Sequence, residues 1–332
     1  MAYRLAIAGV TGAVGQEFLS IIEERNFPFQ SLKVLASSRS AGKTMTFKGK
    51  TYTVEEMTKD SFKGIDIALF SAGASRSREF APAAVKAGAV VVDNSSAYRM
   101  DPEVPLVIPE INPQMIQKHK GIIANPNCST IIGIVPVWPL HKVNPVKRMV
   151  VSTYQAASGA GMSAMLELEA QSREILEGKP PTKNVFPHQI AFNCFSHNSA
   201  LGPNGYNEEE TKLVKETRKI FDCPTIAVTA TCVRIPVMRA HCESINLEFT
   251  NAITPDEVRN ILKTAPGVTV LDDREHNRFP MPIDASGKDD VLVGRIRQDE
   301  SLPGNRGINL WVSGDQLRKG AALNAVQIAE LL

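Results

Sequence analysis

Apolar residues in the first third of the chain come in short runs, RLAIAG, LKVLAS, DIALFSAG, AVVVDNSS and GIIANPN. Between them, VGQEFLSIIEER and SREFAPAAVKAG are helix-like stretches. Near-continuous apolar strands that alternate with helices predict βαβ units around a parallel sheet. In TMTFKGKTYTV, polar and apolar residues alternate around Lys48-Gly49-Lys50, which predicts a hairpin. Beyond residue 127 the pattern changes. Longer strand patterns (VKRMVVSTYQAA, PTIAVTATCVRIPV, ESINLEFTN, DVLVGRIRQD, GINLWVSGD) are interleaved with the helix patterns AMLELEAQSREILEG, NEEETKLVKETRKIF and TPDEVRNILKTA. This mixture predicts an α+β domain with a mixed, largely antiparallel sheet. The last segment, DQLRKGAALNAVQIAELL, places Leu317, Ala321, Val326 and Ile328 near helical spacing. It is expected to form one helix that returns to the first domain. The fold class is therefore α/β, with one domain over 1–127 completed by 314–332 and a second over 128–313.

Composition limits the chemistry. The chain has 332 residues, is 43% hydrophobic and 22% charged, and carries a formal charge of +2. That is enough to bury the cores of two domains, and the scattered basic residues give no footprint for nucleic acid or a membrane surface. No apolar run approaches the roughly 18 residues of a membrane span, and MAYRLAIAGV enters strand-like alternation without a basic leader. A cytoplasmic protein acting on a small molecule is expected. Its five cysteines show no CxxC spacing and its six histidines show no HExxH, so neither a disulfide framework nor a metal site is expected.

Two stretches carry chemistry. In IAGVTGAVG, Gly9, Gly12 and Gly15 follow the first strand and open a helix. A backbone without Cβ can turn sharply there and approach a pyrophosphate, whose charge is favoured by free N–H groups at the helix start. The spacing is GxxGxxG, and the turn from Gly9 through Thr11, Gly12, Ala13 and Val14 to Gly15 is the candidate dinucleotide site of a Rossmann-like domain. After the second strand, VLASSRSAGK offers Ser37, Arg39 and Ser40 and no carboxylate. NADP fits better than NAD, because Arg39 can pair with a 2′-phosphate. The second stretch is NPNCSTIIGIVP. Pro126-Asn127 reads as a loop and the apolar run as a buried helix that starts near Cys128, where the helix field favours a thiolate. Cys128 is the candidate nucleophile.

NPNCST, GVTGAVG, YQAASGAG, RIPVMRAH and GDQLRKGAA, taken together, resemble the aspartate-semialdehyde dehydrogenase family over essentially the whole chain. The resemblance implies reversible, phosphate-dependent conversion of L-aspartate-4-semialdehyde and NADP to L-aspartyl-4-phosphate and NADPH. In biosynthesis, toward lysine, methionine and threonine, the reaction runs as a reduction through a thioester on Cys128. It further implies His241 as acid/base, Gln155 as the residue that orients the reacting centre, and Asn127 as a donor to the developing oxyanion. Arg234 would bind the α-carboxylate bidentately, Glu209 would meet the amine, and Arg99 with Lys212 would hold phosphate. Of Glu208, Glu209 and Glu210, the spacing to Lys212 selects Glu209. Ser158, Gly159, Gly161 and Gln316 would approach the cofactor. A homodimer formed partly through MSAMLELEAQSREILEG is also implied. Two alternatives are an N-acetyl-γ-glutamyl-phosphate reductase, which usually has a glycine before the cysteine where Asn127 stands here, and a non-catalytic dinucleotide-binding regulator.

Overall fold

A computed structural model describes residues 2–332. The chain folds as two compact units, one running to Asn127 and resumed by Ala321–Leu332, the other Cys128–Gly320.

The first unit is built from β1 (Tyr3–Ala8), α1 (Ala13–Glu24), β2 (Phe29–Ala36), β3 (Thr44–Phe47), β4 (Lys50–Thr53), β5 (Glu55–Glu56), β6 (Ile67–Phe70), α2 (Ala74–Lys86), β7 (Val90–Asp93) and β8 (Ile122–Ala124). Its main sheet has the order β5-β2-β1-β6-β7-β8, with every pair parallel. Strand β1 shows why both faces need cover. Leu5 and Ile7 pack with Phe18, Ile21 and Ile22 of α1 and with Leu323, Val326 and Ile328 of the C-terminal helix Leu323–Glu330. Ala6 and Ala8 face the other way, into a layer with Phe62, Phe70, Ala81 and Ala84. The period of two along a strand distributes these residues between the two cores. The hairpin at Lys48-Gly49 pairs β3 with β4 antiparallel, as the alternation predicts.

The second unit comprises α3 (Cys128–Val143), β9 (Val146–Gln155), α4 (Met162–Leu176), β10 (Phe195–Ser196), α5 (Glu208–Ile220), β11 (Ala227–Arg234), β12 (His241–Phe249), α6 (Pro255–Leu262), β13 (Val268–Val270), α7 (Pro282–Ala285), β14 (Val291–Gln298) and β15 (Gly307–Gly314). The sheet order is β10-β11-β9-β12-β15-β14-β13; β9/β11 and β13/β14 are parallel and the other pairs antiparallel. Helix α3 is apolar all round, with Ile131, Ile132, Ile134, Val135 and Val137 buried. Such a helix belongs inside, and α3 lies against β9, β12, β14 and β15 with α5 and α6 beside it. Its N-terminal residue, Cys128, is thereby brought to the sheet.

The C-terminal segment differs from the single helix expected. Arg318–Ala322 winds as a π-helix and only Leu323–Glu330 is α-helical. The backbone passes from the second unit to the first at Gly320/Ala321, later than residue 314. The physical reason is Asp315, whose carboxylate accepts the N–H groups of Leu317 and Arg318 while its carbonyl accepts Gly320 N–H at 3.0 Å, a five-residue span. Among the described residues no helix is long and apolar enough to cross a membrane.

Candidate active site

In the first unit, β1 ends at a turn that needs glycine twice. Gly9 has φ +90° and lies against the carbonyl of Ser71; a side chain at Gly15 would run into the backbone of Gly9 and Val10. Gly12 is the N-cap of α1, with no side-chain cap and no acidic residue in the first turn. The leading amides of α1 therefore point to where an anion would sit, with Thr11 and Gly12 exposed and Ala13 and Val14 half-buried around them. Ser37 precedes a short 3-10 turn, Ser38–Ser40, directly after β2, and Arg39 within it is exposed. At the end of β7, the buried Asp93 accepts Ser77 Oγ, Ser95 N–H and Ser95 Oγ, which shapes the loop that follows. That loop delivers Arg99, 7% exposed, whose guanidinium donates to the carbonyls of Asn94 at 2.7 Å and Asn125 at 2.9 Å. Arg99 is thus tied to the segment that leads into Asn127, itself buried.

In the second unit, sheet register assembles the rest. Arg234 of β11 lies opposite Gln155 of β9, and His241 of β12 lies opposite Gly314 of β15. One pleat deeper, Cys232, Thr153, Glu243 and Val312 form a continuous row across the same strands. All these side chains are buried. The upper row carries the chemistry. Cys128 Sγ lies 3.7 Å from His241 Nε2, while His241 Nδ1 accepts the N–H of Ala156 at 3.0 Å. Gly159 lies against His241 and Arg234, for a Cβ there would come within 3.1 Å of His241 Nε2 and 2.9 Å of Arg234 Nη1. Gln316 accepts Ala240 N–H at 2.8 Å and donates to Ser158 Oγ, so the two residues expected near the cofactor hold each other. Gly161, φ +96°, opens α4.

The charged groups sit beside the cysteine and histidine. Glu209 accepts Gln155 Nε2 at 3.2 Å and Lys212 Nζ at 3.0 Å, and Thr153 Oγ1 donates to Gln155 Oε1. The choice among three glutamates is explained by the cap of α5. Glu210 closes a capping box with Asn207 and accepts Cys232 N–H, Glu208 is exposed, and Glu209 is left to face Gln155. Arg234, 4% exposed, donates through Nη1 to Ala156 O at 2.9 Å and meets His197 Nε2 at 2.9 Å through Nη2; its Nε is buried without a hydrogen-bond partner. Phe186 lies under the guanidinium at 5.8 Å. One N–H on each terminal nitrogen is thus held by protein, while Nε is sealed without a partner.

Burial sets the protonation states. It pushes His241 down to about 3, helped by the Arg234 charge and opposed by Glu209. It pushes His197 down to about 4. Both rings are neutral near pH 7. Burial also lowers Arg234, and it raises Glu243 well above the usual carboxylate range, with Glu209 adding to the rise.

Two of these residues escaped the sequence. His197 matches no motif, and its place beside Arg234 comes from β10 pairing with β11. Glu243 left a readable signal, since in HCESINLEF it alternates with His241, Ile245 and Leu247 and must share their buried face. In α4, Met162, Leu166 and Leu176 are exposed, whereas Ala164 and Leu168 are core. Among the described residues no group of three or more His, Cys, Asp or Glu could hold a metal.

Comparison with known proteins gives the context of this geometry. Residues 4–119 match the semialdehyde dehydrogenase NAD-binding domain family, and residues 137–319 the semialdehyde dehydrogenase dimerisation domain family. An aspartate-semialdehyde dehydrogenase from Synechocystis is 57% identical over 99% of this chain and 97% of its own length. The chain belongs to the aspartate-semialdehyde dehydrogenase family. Membership makes it an oxidoreductase of that kind. The family's enzyme from Aquifex aeolicus is 56% identical over 100% of this chain and 98% of its own. A crystal structure of aspartate semialdehyde dehydrogenase II complexed with ASA, from Vibrio cholerae, is 46% identical, with TM-score 0.97 over 100% of this chain and 98% of that one. The family's enzyme with NADP from Candida albicans is 26% identical, with TM-score 0.78 over 100% and 98%.

Proposed function

We propose that this chain interconverts L-aspartyl-4-phosphate and L-aspartate-4-semialdehyde with NADP, in the cytoplasm, on the route to lysine, threonine and methionine. The observation that carries this reading is the placing of Cys128 Sγ, at the first turn of α3, 3.7 Å from His241 Nε2 in a cluster that also holds Arg234, Glu209 and Lys212. A cysteine at a helix N-terminus is favoured as thiolate, the form that attacks carbonyl carbon. In the reducing direction the thiolate displaces phosphate from the acyl phosphate and leaves a thioester. A bound nicotinamide cofactor would supply the hydride to that carbon from its reduced form, NADPH, and accept it as NADP in the reverse direction.

The protein's own groups position the substrate. Arg234 is assigned the α-carboxylate, gripped bidentately by its guanidinium, Glu209 the ammonium, and Lys212 with Arg99 the phosphate. Gln155, held by Thr153 and Glu209, orients the carbonyl, and Asn127 donates to its oxygen. The cofactor's pyrophosphate fits the uncapped start of α1, where glycine is required by the close backbone of Gly9, Val10 and Gly15. Arg39, with Ser37 and Ser40, takes the 2′-phosphate, and the absence of a carboxylate from that turn favours NADP over NAD. Ser158, Gly159, Gly161 and Gln316 are assigned to the cofactor as well. The family match to a dimerisation domain supports a homodimer.

One assay tests the reading. Phosphate-dependent reduction of NADP by aspartate semialdehyde should exceed that of NAD and should vanish in Cys128→Ala, while NADP binding persists. Undiminished turnover by Cys128→Ala would refute the thioester. Activity on N-acetylglutamate semialdehyde instead would point to the related reductase.

A further inference from the structure

Between α4 and β10 the chain runs from Glu177 to Cys194 without a helix or strand. A stretch of that length has no ladder of its own and must find other partners for its backbone. One face of α4 supplies them. Glu167, Gln171 and Glu174 stand at i, i+4 and i+7, so their side chains form a single stripe. The buried Glu167 carboxylate accepts three consecutive amides, Asn184 and Val185 through Oε2 at 2.6 Å each and Phe186 through Oε1 at 2.9 Å. Gln171, also buried, accepts Ile190 N–H at 2.8 Å and Ala191 N–H at 3.1 Å, and donates to Thr182 O at 2.6 Å. Glu174 accepts the amide and the hydroxyl of Thr182. This stripe of a helix is given over to the backbone of one irregular strap.

What the strap delivers is Phe186. Its ring is buried in a small core with Ala157, Leu168, Ile190 and Ala191. Phe195 of β10, two residues before His197, meets it edge-on at 5.9 Å between ring centroids. Over its face, 5.8 Å from the centroid, lies the guanidinium carbon of Arg234. The restraints on that guanidinium differ in kind. Ala156 O and His197 Nε2 each hold one N–H, on Nη1 and Nη2. Two such contacts define an axis and leave tilt about it open. An aromatic face beneath the cation closes that freedom, and its attraction is strongest where water is excluded.

We propose that Phe186 is a positioning residue for Arg234, and that Glu167 fixes it there through the backbone of the strap. The pair keeps the guanidinium at the tilt in which its remaining N–H groups meet the substrate's α-carboxylate. This rests on the carboxylate role given to Arg234 above. A charged clasp supplies stiffness. Three amides that converge on one carboxylate make short, charge-assisted bonds, so the backbone at Phe186 has little freedom and the ring inherits its position. A loosely held ring would have to be ordered each time substrate bound, at a cost in affinity.

Steady-state kinetics of the full chain, in the oxidising direction, test this. Phe186→Leu keeps an apolar side chain and loses the aromatic face. Its KM for the semialdehyde should rise about three- to tenfold, with kcat within about twofold of the parent and KM for NADP unmoved. Glu167→Gln, which turns an amide N–H toward backbone N–H groups, should do the same. Combining the two should raise KM no further than Phe186→Leu alone, since one acts through the other. In an Arg234→Ala background, either substitution should change kcat/KM by less than about twofold. An unmoved KM in Phe186→Leu overturns the proposal. So does a loss of equal size with and without Arg234, which is the mark of a merely structural role. If circular dichroism shows that Glu167→Gln does not fold, Glu167→Asp, with the charge on a shorter arm, takes its place under the same expectations. An unaltered semialdehyde KM in Arg234→Ala sinks the carboxylate reading itself, whatever residues 167 and 186 do, so the two failures are distinct.

Discussion

The carboxyl of Glu243 is enclosed between β12 and α3, where a side chain at Gly133 would sit 2.5 Å from Oε2, and neither oxygen has a hydrogen-bond partner. A charge there has nothing to offset its desolvation, so the group folds protonated. The sign of the consequence follows. The folded state holds a proton that the unfolded chain gives up near pH 4.3, so the stability tied to it is complete below that pH and is lost as pH rises toward the folded value. Glu243→Gln keeps the shape without the proton. Its stability relative to the parent should grow with pH by up to about 1.4 kcal/mol per unit. Urea unfolding compared between about pH 5 and pH 7 checks this; a constant difference would contradict it. Residue identity was legible in sequence for Cys128, Gln155 and Glu209, whose neighbours in the chain carry the pattern. Nothing local to His197 or Phe186 announces Arg234, because the contacts span 37 and 48 positions and depend on how the strands pair.

At the scale of elements, α5 shows how a local signal serves a distant purpose. Its capping box between Asn207 and Glu210 fixes the first turn, and that turn aims Glu209 at Gln155 and brings Lys212 alongside. Asn207→Ala should cost about 1 kcal/mol of stability and raise KM for the semialdehyde several-fold, with kcat less affected. Denaturant midpoints and steady-state kinetics measure both, and a shifted midpoint with unchanged KM would separate the cap from the site. The segment after β15 shows the opposite case. Helical spacing of apolar residues was real from Leu323 onward, but Asp315 captured the preceding amides and imposed a wider turn. Gly320 lies in that turn against Cys128, where a side chain would come within 2.9 Å of Cβ. Periodicity carries no information about such a capture.

For the molecule as a whole, the last residues complete a core begun by the first. Ile328 and Val326 pack with Leu5 and Ile7, more than 300 positions away in sequence. Ile328→Ala should destabilise the first unit by roughly 2 to 4 kcal/mol, seen as an earlier unfolding transition that NADP shifts back upward. An unchanged transition would place that helix outside the core. The sequence by itself determined the parallel and mixed sheets, the glycine turn after β1, the helix that begins at Cys128 and the face on which Glu209 lies. Each depends on residues a few positions apart, and backbone geometry converts such spacing directly into direction. Tertiary structure alone decided that Arg234 meets His197, that Ala156 caps Nδ1 of His241, and that Glu243 is sealed without a partner. Those outcomes depend on strand register and on the exclusion of water, which no stretch of chain possesses until the others have packed around it.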